Sequence, residues 1–552
     1  MLHSRRKPKL SRKIRIGTRG SPLALWQTRH VIGILKKSHP SINCEVVIIK
    51  TSGDSFSNLK KRSQKSQVAG HKYAGKGLFV KEIEESLLSG AIDIAVHSMK
   101  DVPAEIPKKL QLTAFLKRED PFDVFISEKY SSLKDMPVGS TVGTSSPRRA
   151  AQVLSERPDL IILPLRGNVG TRLGKINEGY CDATILAVAG LERLKRLKRL
   201  KRLERLKRFV SSAGQGIICI ESRAGDNEQN AILKKLLNHP KSEREALAER
   251  TFLQTVVGDC HTPIAARAIF KGGKISLTGF VSSPSGKTTM LKKGSSKDPI
   301  SLGANLASSF IKAGARKIMN SREKREIMFT GLKGTMHSLK NIYKTNGIKV
   351  VELPLIEIKP PSDGYRSLDR AIANIQSYDW VVFTSRNAVN PFLNCLNRWN
   401  GWNRWNAVPA GRQGWNGSKV AAVGPSTADA LRSKGVRVNL ISKAHSSEGL
   451  AEAIKKFKMR GKRVLFPRAK EGRDELARAL RKQGARVDVV EAYRTVPKKI
   501  NTRKVPNVVV FTSPSTVDAY IKNFGKRKVF AVCIGETTKR HAMRKRIIQV
   551  LS

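Results

Sequence analysis

The chain has 552 residues, 104 Lys and Arg against 44 Asp and Glu (formal net charge +60), and 40% hydrophobic residues. That is core material for about three to four domains, and no apolar run approaches the ~18 residues of a membrane helix, so no membrane partner is expected and the cytoplasm is the default compartment. The six cysteines (44, 181, 219, 260, 395 and 533) are scattered with no CxxC pair, which argues against a disulfide framework and against a zinc or other metal site.

The charge leaves three readings open: nucleic-acid binding, an anionic small-molecule substrate, or a general bias towards Lys and Arg. Basic residues are spread along the whole chain, and no helix-turn-helix, RRM or finger signature accompanies them, so no nucleic-acid partner is expected. A field of this sign speeds capture of any polyanion without identifying one.

In chain order, residues 14–17 read as a strand and residues 23–35 as an apolar-periodic helix, with Ser21 as N-cap and Pro22 at the first helical position. Residues 44–50 form the next strand. Residues 51–76 are polar and aperiodic, the composition of a lid or a disordered segment. Helical spacing returns over 79–88. The apolar run 92–96 then reads as a buried parallel strand, which stops where His97, Ser98, Lys100 and Asp101 crowd together before Pro103. A carboxylate at the carboxyl end of an α/β strand points into the ligand crevice. Asp101 is therefore the candidate catalytic acid and base, and a Lys100–Asp101 surface pair is the bland alternative.

Two more strand ends carry anion chemistry. The segment Gly143 to Arg149 follows a short strand and opens a helix, so its N–H groups, hydroxyls and two arginines make an anion cradle. The strand 160–165 ends in Arg166 to Arg172. Singly, each arginine reads as a solvated surface residue. Together with Arg19 and Lys100 they predict a substrate bearing several carboxylates, which guanidinium forks match. The alternation of strand and helix through residue 190 predicts a mainly parallel sheet. Residues 191–208 then place a leucine at every third position from 191 to 206 among ten basic residues. At 100° per residue those leucines spiral round a helix and give no steady apolar face, so a surface tandem-repeat insertion is expected.

Beyond a charged boundary at 321–325, apolar strands ending in small hydroxyl or glycine residues recur, and Phe-Thr-Ser occurs twice, at 383–385 and 511–513. Two similar α/β lobes are expected, with a site that binds and orients rather than performing strong acid–base chemistry. Residues 397–417 are low in complexity and hold Trp399, Trp402, Trp405 and Trp415. Aromatics interleaved with arginine suit base stacking, but a surface insertion is the expectation.

The motifs TRGSPLALWQ (18–27), GKGLFVKEIE (75–84), VHSMKDVP (96–103), VGTSSPRRAAQ (142–152), LRGNVGTRL (165–173), AGQG (213–216) and GDCHTPIAA (258–266) occur in order. Together they closely resemble the hydroxymethylbilane synthase (porphobilinogen deaminase) family over about residues 13–320. The resemblance implies three α/β domains, two of them periplasmic-binding-protein-like lobes: 13–118 with 214–235, then 119–213 containing the basic repeat. The third, 239–320, would carry a dipyrromethane cofactor as a thioether on Cys260. It further implies that Asp101, with Lys100, acts on porphobilinogen. Arg19, Ser21, Lys100, Ser146, Arg148, Arg149, Arg166, Arg172 and Gln215 would hold acetate and propionate groups, Phe79 would pack near the cofactor, and 51–76 would be a mobile lid.

The motifs PLIEIKP (354–360), DWVVFTSRNAV (379–389), VAAVGPSTADAL (420–431), GLAEAI (449–454), EAYRT (491–495) and VFTSPSTV (510–517) likewise resemble the uroporphyrinogen-III synthase family. This implies a two-lobed α/β cyclase, with lobe 1 from 326–362 and 496–552 and lobe 2 from 363–495. Thr384, Ser385, Tyr493, Thr512, Ser513 and Thr538 would face its cleft, each hydroxyl being also a helix N-cap candidate. The implied substrates are porphobilinogen and hydroxymethylbilane, acted on by a bifunctional monomer. The chain stops near its last apolar run, where the family usually adds a closing helix, so an active deaminase with a truncated or degenerate cyclase is the alternative.

Overall fold

The computed structural model describes residues 13–51, 80–256, 262–321, 323–398, 418–442, 447–472, 474–502, 504–527 and 529–547, with Arg199 described by its backbone alone. The expectations for Phe79, Cys260, nearly all of the 51–76 lid and nearly all of 397–417 lie outside these residues, as does that for the closing residues after 547. The chain divides into two compact units: one up to Glu326 together with Ser338–Val350, the other Ile327–His337 with Val351 onward.

The first unit holds three sheets. The first is ordered β2-β1-β3-β10-β4, from Asn43–Ile48, Lys13–Thr18, Ile94–Ser98, Ile218–Arg223 and Leu110–Phe115. Ser21 accepts the Ala24 N–H at 3.3 Å and Pro22 starts the helix Pro22–Ser38, as the sequence predicts. That helix and Asn227–Leu237 cover one face, burying Val31, Leu35, Leu233 and Leu237 against Ile14, Ile16, Ile94 and Val96. The second sheet is β7-β6-β8-β5-β9, from Ile161–Leu163, Thr141–Gly143, Ala183–Ala187, Asp123–Ile126 and Leu203–Arg205.

The sheets are less parallel than expected. Only β1 with β2 and β3, and β6 with β7 and β8, run parallel. β10 enters antiparallel between β3 and β4, and β5 pairs antiparallel with β8 and β9. The reason is topological: β5 and β10 are the strands by which the chain crosses into the second sheet and returns, so each arrives from the opposite direction.

Residues 191–208 are not a surface excursion. The helix Val188–Arg193 ends, Lys195 takes φ +53°, Leu197–Arg199 forms a 3-10 turn, and β9 closes the sheet. A 3-10 turn has three residues per turn, which suits leucines three apart. Leu191 and Leu206 are fully buried, and Leu197, Leu200 and Leu203 pack on the core of Val124, Leu165, Leu186 and Val188. Three of the tract's six arginines find carboxylates: Arg193 on Glu119 (2.7 Å), Arg205 on Asp120, and Arg208 on Glu156 and Glu204.

The third sheet is the antiparallel β11-β12-β13 (Ile264–Lys271, Lys274–Ser282, Thr289–Ser296). The helices Pro240–Val256 and Pro299–Lys312 pack on it, with Phe252 and Phe310 meeting edge to face.

The second unit is built on two sheets. One, β15-β14-β22-β23 (Lys349–Glu352, Glu326–Phe329, Val508–Phe511, Phe530–Cys533), draws on both ends of this half. It is followed by a last described helix, Glu536–Arg544. The other is β16-β21-β20-β17-β18-β19, from Ile356–Lys359, Arg486–Pro497, Arg463–Ala469, Trp380–Phe383, Lys419–Ala422 and Leu440–Ile441. It is parallel except for β16 on β21.

Candidate active site

The strand β3 is buried through His97 and then breaks into a 3-10 turn, Met99–Asp101. Met99 anchors the turn: it is buried and its N–H donates to the Ile217 carbonyl at 3.0 Å. Ser98 is tied to the buried Gln27 side chain at 2.8 Å. Gly214 lies directly beneath, at φ +71°. A Cβ there would meet Met99 Cγ at 2.2 Å, so only glycine lets the returning chain approach this closely. With Met99 held on both sides, Asp101 is left exposed at the strand end.

Cations gather round it. Burial, with Arg149 and Arg148 adding repulsion, pulls the Lys100 ammonium down to about 8 while Asp101 and Asp123 pull it back up. Burial and then Arg149 bring Arg172 down to about 10, and Asp101 opposes them. Lys100 and Arg172 thus each feel the charges of Asp101 and Arg149. Arg172 Nε donates to the Gly167 carbonyl at 2.8 Å, leaving its terminal nitrogens for other partners. Arg166 is exposed and Arg19 half-buried. Ser21 and Ser146 are helix N-caps, Ser146 accepting the Arg149 N–H at 3.4 Å.

Arg148 is placed differently from its expected role. It is buried, with Nη1 on Asp123 (2.6 Å) and on the Val210 carbonyl (2.9 Å). Arg149 grips the same carboxylate through Nε and Nη2 (3.1 and 2.7 Å). Gln215 Nε2 joins it at 3.1 Å, and its Oε1 is buried without a hydrogen-bond partner among the described residues. Asp123, which sequence reasoning passed over, is therefore the hub of the anion cradle. Two guanidiniums hold its carboxyl far below the usual carboxylate range in spite of complete burial. The signal was present: an acid opening the apolar strand Val124-Phe125-Ile126.

A second buried acid ties the domains together. Glu249, on the helix Pro240–Val256, accepts from Arg118 Nη1 and Nη2 (2.7 and 3.1 Å), Gly214 N (2.6 Å) and Ala268 N (2.6 Å). Arg118 and Gly214 lie on the two chain crossings between the first and second sheets. Among the first unit's described cysteines, Cys181 and Cys219 are buried and Cys44 half-buried, and burial pushes all three thiols up. None is placed as an open nucleophile. Among the described residues no cluster has the make-up of a metal site, and no helix is long and apolar enough to cross a membrane.

In the second unit Ser385 caps the 3-10 turn after β17, accepting the Asn387 N–H at 3.1 Å. Tyr493, on β21, is buried and brought to both side chains; desolvation raises its hydroxyl although Ser385 and Asn387 pull it down. Thr384 lies half-buried beside them. On the other sheet, Ser513 forms a capping box with Thr516 after β22 and contacts Ser515 Oγ at 2.8 Å. Thr512 packs against Gly331, and Thr538 is buried with its hydroxyl on the Ile534 carbonyl. The capping reading holds for Ser385 and Ser513, while Thr538 is turned back on its own helix.

Family models match in three stretches: "Porphobilinogen deaminase, dipyromethane cofactor binding domain" over residues 14–231, "Porphobilinogen deaminase, C-terminal domain" over 244–312, and "Uroporphyrinogen-III synthase HemD" over 338–551. The porphobilinogen deaminase of Maridesulfovibrio salexigens is 43% identical over 311 residues, 56% of this chain and 98% of that protein. That of Syntrophus aciditrophicus is 40% identical over 312 residues, 56% and 99% respectively. Among solved structures, a mutant uroporphyrinogen III synthase from Thermus thermophilus aligns with a TM-score of 0.30 at 16% identity, covering 41% of this chain and 90% of that one.

Proposed function

The chain belongs to the porphobilinogen deaminase family, and on that premise we propose how its own residues carry a two-step tetrapyrrole synthesis. The first part condenses four porphobilinogens into hydroxymethylbilane with loss of ammonia. The uroporphyrinogen-III synthase part cyclises that product to uroporphyrinogen III with inversion of ring D. The cyclase match extends to residue 551, so an enzyme with the deaminase alone active is not favoured.

The observation that carries the deaminase reading is Asp101 at the end of a rigidly anchored strand, the exposed carboxylate that, among the described residues, acts on both Lys100 and Arg172. Its carboxyl group gives a proton to the departing amine of porphobilinogen, and the resulting carboxylate faces the cationic azafulvene left behind. Lys100, Arg149 and Arg172, with Arg166 and Arg19, hold the acetate and propionate groups. Arg148 braces Asp123. Positioning of this kind supplies much of a barrier reduction.

The residues present fit a dipyrromethane. The cations match its carboxylates, and the Gln215 Oε1, buried and without a hydrogen-bond partner among the described residues, is an acceptor suited to a pyrrole N–H. When bound, the group supplies the pyrrole carbon to which substrate units are joined. Cys260 is its thioether anchor in this reading, supported by the enclosure of Cys181 and Cys219. In the second half, Thr384, Ser385, Tyr493, Thr512 and Ser513 orient the linear tetrapyrrole by hydrogen bonds. We place the enzyme in the cytoplasm as a monomer.

Ammonia release from porphobilinogen, followed by the ratio of uroporphyrinogen III to I, tests both activities. Intact mass should show two retained pyrrole units that vanish in Cys260→Ser. No ammonia release, or a type I product only, would remove the first or the second activity respectively.

A further inference from the structure

The helix Pro147–Glu156, which carries Arg148 and Arg149, is held from outside its own sheet. On the third sheet, Ala266, Ala268, Leu277 and Val281 pack with the helices Pro240–Val256 and Pro299–Lys312. Side chains alternate along a strand, so Ala265 and Phe280, opposite each other in the β11–β12 register, lie on the other face. There they pack on Val210. Val210 is itself joined to the helix. Its carbonyl accepts from Arg148 Nη1 at 2.9 Å and Gln152 Nε2 at 3.0 Å, and its N–H donates to Gln152 Oε1 at 2.7 Å.

The hairpin turn between β12 and β13 makes a second contact further along the same helix. Gly286 is buried there at φ +73°, and a Cβ on it would meet the Ala151 carbonyl oxygen at 2.7 Å, Leu154 Cβ at 2.7 Å and the Ser155 nitrogen at 2.8 Å. Two of those atoms are helix backbone, so no change of rotamer makes room for a side chain. The turn is braced internally. Gly286 N–H donates to the Ser283 carbonyl at 2.9 Å, Ser283 N–H to the Thr288 carbonyl at 2.8 Å, and the hydroxyls of Ser283 and Ser285 meet at 2.9 Å. Glu323 then accepts from the hydroxyls of Ser285 (3.1 Å) and Thr288 (3.3 Å). Two residues on, Arg325 Nη2 donates to the Leu160 carbonyl at 2.7 Å, just past the end of the helix.

We propose that Phe280 and Gly286 are positioning residues for Arg149: they dock the third sheet on the helix Pro147–Glu156, so that this sheet and the carboxylate cradle form one piece. The proposal rests on the reading of Arg149 as a holder of substrate carboxylates. The path is short. Phe280 supports Val210, the Val210 carbonyl and Asp123 share Arg148, and Asp123 grips Arg149. A cradle displaced by about 1 Å loses its match to those carboxylates, at up to about 10²-fold in kcat/KM. The Met99–Asp101 turn is anchored separately, by Ile217 and Gly214, so the loss falls on KM rather than kcat.

The test uses the full chain and two matched glycines. Gly273, in the β11–β12 turn, has the same φ of +73° with open space around it, so G273A carries the backbone strain of G286A without the collision. G286A should raise KM for ammonia release from porphobilinogen about tenfold with kcat within about twofold, whereas G273A should leave both in place. F280A, which removes the support of Val210 without touching a glycine, should shift KM the same way. Hydrogen exchange in the ligand-free enzyme should show the amides of 147–156 opening faster in G286A and F280A and unchanged in G273A. Equal behaviour of G286A and G273A, or an F280A enzyme with unaltered KM and exchange, would overturn the docking. Should G286A fail to fold, F280A decides alone. Absence of ammonia release in the unmutated enzyme would instead overturn the parent reading, and the exchange comparison still decides the docking.

Discussion

The Asp123 carboxylate and the Arg149 guanidinium meet side on, Nε at 3.1 Å and Nη2 at 2.7 Å to the same oxygen, while Arg148 takes the other oxygen at 2.6 Å. An acid on one strand thus fixes two arginines from the first turn of the helix Pro147–Glu156 before any ligand arrives. Arg149 is thus held in one orientation by bonds that need no ligand.

Replacing Asp123 with Asn leaves two buried guanidiniums facing one neutral amide. Loss of one member of a buried ionic cluster costs about 3–5 kcal/mol, so D123N should unfold at markedly lower urea than the unmutated enzyme at pH 7. Because the folded carboxyl sits below its unfolded range, its contribution is present above about pH 4 and fades as pH falls further. Acid unfolding of D123N should accordingly be shallower.

Asp101 is exposed and supports no packing, so D101N should keep its denaturation midpoint while ammonia release falls by about 10²–10⁴. A variant that unfolds early, or one that keeps turning over, would contradict the assignment.

Lys100 offers a pH signature for binding. With its ammonium near 8, affinity for carboxylate-bearing substrate should weaken as pH rises through 8, seen as an increasing KM. K100R should hold its KM level to higher pH. For stability the sign is reversed. The unfolded chain keeps this proton up to about 10.4, so this residue's contribution to stability rises between pH 8 and 10.

Leu206 tests the basic repeat. Its complete burial beside β9 predicts that L206A costs about 2–5 kcal/mol, read as a lower guanidinium midpoint. Replacing the exposed Lys198 with Ala should leave the midpoint in place. A surface repeat would tolerate both.

Much of this was legible in the residues. Ser21-Pro22 and Ser146-Pro147 cap their helices as local chemistry dictates, and Asp101 stands at a strand end because Pro103 and the polar cluster stop the ladder there. What stayed hidden was non-local. Nothing near Arg148 announces that it turns inward to an acid 25 positions earlier. The antiparallel entry of β5 and β10 depends on the route of the chain between sheets. The leucine tract misled because one helical period was assumed for a stretch that changes from helix to 3-10 turn to strand.

Glu249 clasps Arg118 on the outbound crossing, Gly214 on the inbound one, and Ala268 in the third sheet. Mechanically, this is a rivet through three plates. Pulling any one plate off the rivet would leave a buried charge without its partner in the interior, so at this point the outbound strip, the inbound strip and the third sheet hold together or come apart together.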